Sequence, residues 1–451
     1  MAMTILTSIL TLMLVASACF TRTAVSLSPL SAVSSSSLTS KAKTTNANTD
    51  LMHETAVAET KRLFQYYNTN GKKNNMNKQG IQNVSYATST SMSTSTSIPN
   101  PPTVLRSREE ASAYIRDNID TVLFDCDGVL YRTTSLCPGA SECIRELMDT
   151  QGKRVLFVTN NAGSNRRELL EKLSRLLQID SLTNDQMISA SYSCVQYLRG
   201  ELLATAADAA ATTARSNPPR VHVIGSSGLC EELVAAGFNV TGGPSLSSSS
   251  SMTREDLAEY NFEQLHPIDA LVVGHDTHLN FRKLCIAHNL LSRNPKALFV
   301  ATNKDSFDVV DGNPSNDDNA SDDNGNSQNL RHIVGNGATV VALEYSSKRI
   351  ATNVGKPSKE LFETIRHNDS NSNINGNNGK NQKHNLFDDP SRCLFVGDRL
   401  DTDIRFGKDN GMKTLLVMTG VTTAETMEEL ESGTEEEPLP DFIAPYVGML
   451  V

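Results

Sequence analysis

The chain contains no tryptophan, and aromatic residues make up only 5% of its 451 positions. Hydrophobic residues reach 38%. That is low for one compact body and fits an ordinary enzyme diluted by polar segments. Basic residues are in deficit, 41 Lys and Arg against 51 Asp and Glu, for a net charge of −10. A surface that binds nucleic acid needs a basic excess to meet phosphates, so the balance argues against that class. It is compatible with a local basic pocket for a small phosphorylated metabolite. No CxxC pair occurs among the eight cysteines, at 19, 126, 137, 143, 194, 230, 285 and 393. Neither a zinc site nor a disulfide ladder is therefore indicated. Several, such as Cys393, sit in apolar runs and read as reduced core residues, which favours a reducing compartment.

Long apolar runs are also scarce. Ile5 to Ala18 is one, ending in the cleavage-like Ala16-Ser17-Ala18. It is too short to cross a bilayer comfortably and reads as a signal-peptide segment (1–18), although a charged start is missing. Residues 19–49 are rich in Ser, Thr and Ala, carry Arg22, Lys41 and Lys43, and hold no acid before Asp50. That is transit-peptide composition. The two in series resemble the bipartite leader of plastid proteins in algae with complex plastids, with secretion or a mitochondrial presequence as alternatives. No membrane segment is expected in the mature form. Residues 50–105 are Asn- and Ser/Thr-rich and read as a low-complexity linker. Polar tracts at 247–251, 313–329 and 368–383 read as solvated loops, tolerated because loop closure costs little more as length grows.

What is left alternates short apolar runs with amphipathic helical patterns. Thr121–Phe124, Val155–Val158, Leu394–Val396 and Thr414–Val417 are strand-like, and Glu168–Leu177 and Lys359–Ile365 are helical. The alternation predicts an α/β fold with a Rossmann-like parallel-sheet core and helices on both faces. Such sheets collect ligands at the carboxyl ends of their strands. The span 200–335 has its own strand and helix patterns and is long enough to be an inserted α/β domain. It divides the core into 106–199 and 336–451.

Four motifs follow predicted strands. Phe124-Asp125-Cys126-Asp127-Gly128 places two carboxylates at a strand end, with a glycine for the sharp turn. Paired acids suit a hard cation such as Mg²⁺, or nucleophilic and proton-transfer chemistry on phosphorus. Thr159, Asn160 and Asn161 offer a hydroxyl and two amides suited to phosphoryl oxygens, though taken alone they are better explained as a helix N-cap. Gly355-Lys356-Pro357 brings a positive charge to the start of a helix. Gly397-Asp398-Arg399-Leu400-Asp401-Thr402-Asp403 packs three acids into six residues, which repel unless a cation or arginine relieves them.

Taken together and in this order, the motifs resemble the haloacid dehalogenase superfamily. Within it they resemble the eukaryotic phosphoglycolate phosphatase and 4-nitrophenylphosphatase family, relatives of pyridoxal phosphatase. The match runs from about Ser107 to the C-terminus and includes Leu298-Phe-Val-Ala-Thr-Asn303. The resemblance implies Asp125 as nucleophile and Asp127 as general acid and base. Asp125, the carbonyl of Asp127, and Asp398 would hold Mg²⁺. Thr159, Asn160, Asn161 and Lys356 would hold the phosphoryl group, and Asp403 would orient the cluster or hold Lys356. The inserted domain would be a cap that selects the substrate, with Gly274-His275-Asp276 and Thr302–Asp305 as candidate lining. A homodimer through the cap is also implied. The substrate expected is 2-phosphoglycolate, with pyridoxal 5′-phosphate or 4-nitrophenyl phosphate as alternatives. A non-catalytic scaffold is opposed by the intact acids and lysine.

Overall fold

A computed structural model describes residues 49–66, 102–105, 107–203, 217–246, 253–311, 330–374, 389–431 and 437–451. The leader segments, apart from Thr49, and the tracts at 247–251 and 313–329 lie outside the described residues.

The core is a seven-stranded sheet. Its strands are β1 (Thr103–Val104), β2 (Thr121–Phe124), β5 (Arg154–Thr159), β6 (Met187–Ser189), β14 (Cys393–Gly397), β15 (Lys413–Val417) and β16 (Phe442–Ala444). They lie in the order β1-β16-β15-β14-β2-β5-β6, and every pairing is parallel. Alternate residues serve opposite faces. Val122 and Phe124 join Ile115, Leu169 and Leu173, whereas Leu123 joins Leu361, Ile365 and Phe406. A strand covered on both faces has no polar face to show, which is why these segments read as unbroken apolar runs.

A second parallel sheet has the order β13-β10-β9-β7-β8. Its strands are β7 (Arg220–Ile224), β8 (Asn239–Gly242), β9 (Ala270–Val273), β10 (Leu298–Ala301) and β13 (Thr352–Asn353). The inserted domain thus continues past residue 335, the boundary expected from the sequence. Val340 and Leu343 of the helix Asn336–Ser347 are buried with Leu271, Ile286 and Phe299 under this sheet, and β13 completes its edge. Two small antiparallel hairpins remain. One is β3 (Tyr131–Arg132) with β4 (Ser135–Leu136); the other is β11 (Phe307–Asp311) with β12 (Leu330–Val334).

The expected linker 50–105 also needs correction. Residues 49–66 form a helix, and Ala56 and Leu63 are buried with Leu416, Met418, Met427 and Ile443 of the core. Arg62 grips Glu428 through two hydrogen bonds of 2.8 Å, and Ala424 donates its N–H to Glu59 at 2.6 Å. The buried positions 52, 56 and 63 repeat at helical spacing, a signal diluted by the polar filler around it. Residues 103–104, at the far end of the same segment, add β1 to the sheet edge. The tract at 368–383 likewise begins inside structure. Asn368 is buried, accepting from the Tyr192 hydroxyl at 3.2 Å and donating to the Asp185 carbonyl at 2.8 Å.

Candidate active site

Four neighbouring strands, β5, β2, β14 and β15, deliver their carboxyl ends to one side of the sheet, where a parallel sheet offers its binding crevice. All seven residues expected in the site, Asp125, Asp127, Thr159, Asn160, Asn161, Lys356 and Asp398, line a single cavity of about 290 Å³ there.

Lys356 is the hub. Its Nζ lies 2.7 Å from Asp125 Oδ1 and 2.8 Å from Asp403 Oδ1, and it donates to the Val158 carbonyl at 3.1 Å. Burial pulls the ammonium pKa down, but Asp125 and Asp403 together hold it above the ordinary lysine value. Lys356 is therefore a fixed positive charge. Burial drives the Asp125 pKa well up, and Lys356 opposes that rise. Asp403 uses its second oxygen to accept the N–H groups of Asp398 and Arg399, at 3.0 and 3.1 Å. It thus touches Lys356 and the backbone of Asp398 and Arg399.

Asp398 is enclosed by backbone. Its Oδ2 accepts the Val421 N–H at 2.7 Å. Gly128 has φ of +85°, and a Cβ there would stand 2.6 Å from the same oxygen, so no other residue fits that turn. The other oxygen, Oδ1, is buried without a hydrogen-bond partner among the described residues. A buried carboxylate oxygen left unpaired is costly unless an ion meets it. Burial, and Asp403 beside it, push the Asp398 pKa up to about 7. Ligand oxygens of Asp125, Asp398 and Asp403 lie within 4.8 Å of one another. Three carboxylates stand against one ammonium, and the donors are all hard oxygens, so the residues fit a divalent cation.

Asp127 is the exposed member, opening on the cavity. Surrounding protein raises its pKa, with Lys172 opposing and Asp308 adding to the rise. The Tyr131 hydroxyl approaches its Oδ2 at 3.5 Å. A carboxyl with raised pKa facing a cavity can exchange protons with a bound substrate.

The second motif does more holding than expected. Asn160 Oδ1 accepts the Lys356 N–H at 2.7 Å, and its Nδ2 donates to both oxygens of Asp305, at 2.9 and 3.2 Å. Its amide thus ties the Lys356 backbone to Asp305. Thr159 Oγ1 accepts from the Asn161 N–H at 3.1 Å, and Asn161 Oδ1 from the Gly163 N–H at 2.8 Å.

The inserted domain lines the cavity with His275, Asn303, Asp305, Asp308 and the hairpin residues Val309, Val310 and Ile333. Burial lifts the Asp305 pKa to about 6, against Arg399 and Lys356. Asn303 donates to the Asn160 carbonyl at 2.9 Å. Asp276 instead forms a buried pair with Lys283 at 2.6 Å, and His278 is an exposed loop residue. Arg132, Asp308, Arg399 and the Gly420-Val421 turn were not singled out from the sequence. Gly420 follows the apolar run of β15, a strand-end signal that could have found it. Asp308 stands in a hairpin cut by a polar tract and gave none. All seven described cysteines are free thiols, five of them buried. Among the described residues no helix is long and apolar enough to cross a membrane.

Residues 122–239 match the family model of haloacid dehalogenase-like hydrolases, and 353–450 match a second, haloacid dehalogenase hydrolase-like model. Phosphoglycolate phosphatase 2 of Arabidopsis thaliana is 34% identical over 71% of this chain and 89% of its own length. Human glycerol-3-phosphate phosphatase is 32% identical over 76% and 94%. The chloroplastic phosphoglycolate phosphatase 1A of Arabidopsis thaliana is 28% identical over 73% and 78%. Among solved structures, the p-nitrophenyl phosphatase of Archaeoglobus fulgidus superposes with a TM-score of 0.51 at 24% identity, over 74% of this chain and 98% of its own; it speaks for the fold. The chain belongs to the haloacid dehalogenase-like hydrolases, among the phosphatases of that family.

Proposed function

We propose that the protein is a magnesium-dependent phosphomonoesterase that works through an aspartyl-phosphate on Asp125, with 2-phosphoglycolate as its substrate. The observation that carries this reading is the Asp125–Lys356–Asp403 arrangement beside the unpaired oxygen of Asp398. An anionic nucleophile meets an anionic ester only where positive charge cancels their repulsion. Lys356 supplies one such charge from a fixed position. Mg²⁺, held by Asp125, Asp398 and the Asp127 carbonyl, would supply the rest.

Asp125 attacks phosphorus, forming its own O–P bond as the ester P–O bond breaks. The bonding pair leaves with the ester oxygen, which takes a proton from Asp127. Asp127, now a carboxylate, draws a proton from water as that water attacks the same phosphorus, releasing phosphate and restoring Asp125. Thr159 and Asn161 contact the phosphoryl oxygens, while Asn160 keeps Lys356 in register. The relative named phosphoglycolate phosphatase 2 supports the choice of substrate. The chloroplastic relatives, with the composition of residues 1–49, support a plastid location. Exposed Val341 and Tyr345, one turn apart on a cap helix, with Ile350 beyond it, support a homodimer through the cap.

The test is phosphate release from 2-phosphoglycolate, glycerol 3-phosphate, pyridoxal 5′-phosphate and 4-nitrophenyl phosphate, with Mg²⁺ and with chelator. Highest kcat/KM on 2-phosphoglycolate, lost on chelation, is expected. A better value on another ester would overturn the substrate, and chelator-resistant turnover would overturn the metal.

A further inference from the structure

We infer that Arg132 binds a second anionic group on the substrate, a carboxylate carried by the leaving group. This deepens the proposed function and rests on its reading of the site as a phosphomonoesterase.

Arg132 lines the cavity on the loop of the catalytic acid. That loop is closed by bonds around Tyr131: its carbonyl accepts the Gly128 N–H at 2.8 Å, and its hydroxyl lies 3.5 Å from Asp127. The residue after Tyr131 therefore stands on the side where Asp127 delivers a proton to the leaving oxygen. The group that protonates the leaving group and the one that would grip its far end share one short hairpin.

The guanidinium is fixed by one edge. Its Nε donates to the Met52 sulfur at 3.1 Å and lies 3.4 Å from Asp311 Oδ1. A thioether is a weak acceptor, and 3.4 Å is long for a charged hydrogen bond. Neither Nη1 nor Nη2 makes a hydrogen bond among the described residues, although the side chain is only 10% exposed. An arginine held this way presents its planar fork, the geometry that takes a carboxylate with two parallel bonds.

The other ammonium and guanidinium groups on the wall are committed elsewhere. Lys356 is shared by Asp125, Asp403 and the Val158 carbonyl. Arg399 binds Asp401 through two bonds and the Phe307 carbonyl through a third. Among the cavity's ammonium and guanidinium groups, Arg132 is the one with donors left to receive a carboxylate.

The experiment compares two phosphonate inhibitors of 4-nitrophenyl phosphate hydrolysis by the full chain. Phosphonoacetate carries a carboxylate, and methylphosphonate is the same head group without one. The wild-type protein should prefer phosphonoacetate about tenfold or more, the size of a charge-assisted contact. Arg132→Gln should bring that ratio close to one, and Arg132→Lys should leave it intermediate. Met52→Ala, which frees the guanidinium without removing it, should lower the ratio in part. A wild-type ratio near one, or a full ratio kept in Arg132→Gln, would overturn the inference. Should the ratio behave as expected while 2-phosphoglycolate is not hydrolysed, the carboxylate site stands and the proposed substrate falls.

Discussion

Asn160 accepts the backbone N–H of Lys356 at 2.7 Å, joining two residues 196 positions apart in the chain. The whole cap domain is inserted between them. The same amide reaches Asp305, so a core strand, the inserted domain and Lys356 meet at one side chain. Replacing it with alanine strands a buried N–H and a buried carboxylate, each costing on the order of 1–3 kcal/mol. Asn160→Ala should lower kcat more than it raises KM, because it displaces the lysine rather than a substrate contact. A change confined to KM in steady-state kinetics would assign Asn160 to substrate binding instead.

Asp125→Asn keeps the shape of the side chain and removes the attacking oxygen's charge. Turnover of 4-nitrophenyl phosphate should fall by about 10⁴-fold or more, with the far-ultraviolet spectrum unchanged. Substantial residual activity would exclude the covalent route.

Asp127→Ala and Asp398→Asn should separate proton transfer from metal binding. The first removes a carboxyl that stays outside the acidic cluster, so Mg²⁺ affinity by calorimetry should persist while turnover slows by about 10²–10⁴-fold. The second removes charge from the buried oxygen and should abolish that affinity. The opposite pattern would reverse the two assignments.

Lys356→Met leaves Asp125 and Asp403 buried without their shared counter-charge. Breaking a buried ion pair from one side costs about 3–5 kcal/mol, and urea unfolding should register a loss of that size. Added Mg²⁺ should restore part of it by binding the folded state. An unchanged midpoint would mean that the acids take up protons in the folded protein and need no counter-charge.

His222 lies in the cap sheet, 5% exposed, with Nδ1 on Thr241 at 3.0 Å and Nε2 unpartnered among the described residues. Burial lowers its pKa from 6.5 to about 4. The unfolded chain therefore binds the proton more readily than the folded one. This contribution, about 3 kcal/mol at most, is fully present above pH ~6.5 and is lost as pH falls toward ~4. The melting temperature should drop across that window, and His222→Gln should flatten the drop. An equal slope in both proteins would remove His222 as the cause.

The core sheet was legible because its strands are buried on both faces and appear as apolar runs, and because Asp125 and Asp398 follow such runs directly. The cap's true end was not legible. Helix Asn336–Ser347 follows a long polar tract, and which sheet it covers is a fact of packing, not of local pattern. The helix at 49–66 was hidden for a related reason, since three spaced core residues do not stand out in an Asn- and Ser-rich stretch. Asn160 was read as a phosphate ligand because an amide at a strand end fits that role; its bonds to Lys356 and Asp305, 196 and 145 positions away, were not legible. Arg132 gave no signal, because its meaning depends on Met52 and Asp311, which only the fold brings beside it.

The helix at 49–66 closes a groove whose floor is Leu416, Met418, Met427 and Ile443, and its Glu59 caps the helix that begins just beyond the turn holding Asp398. A protease trimming the amino terminus beyond residue 48 would unroof a greasy trough and slacken the wall behind the acidic centre in a single cut, leaving a sticky and poorly ordered product.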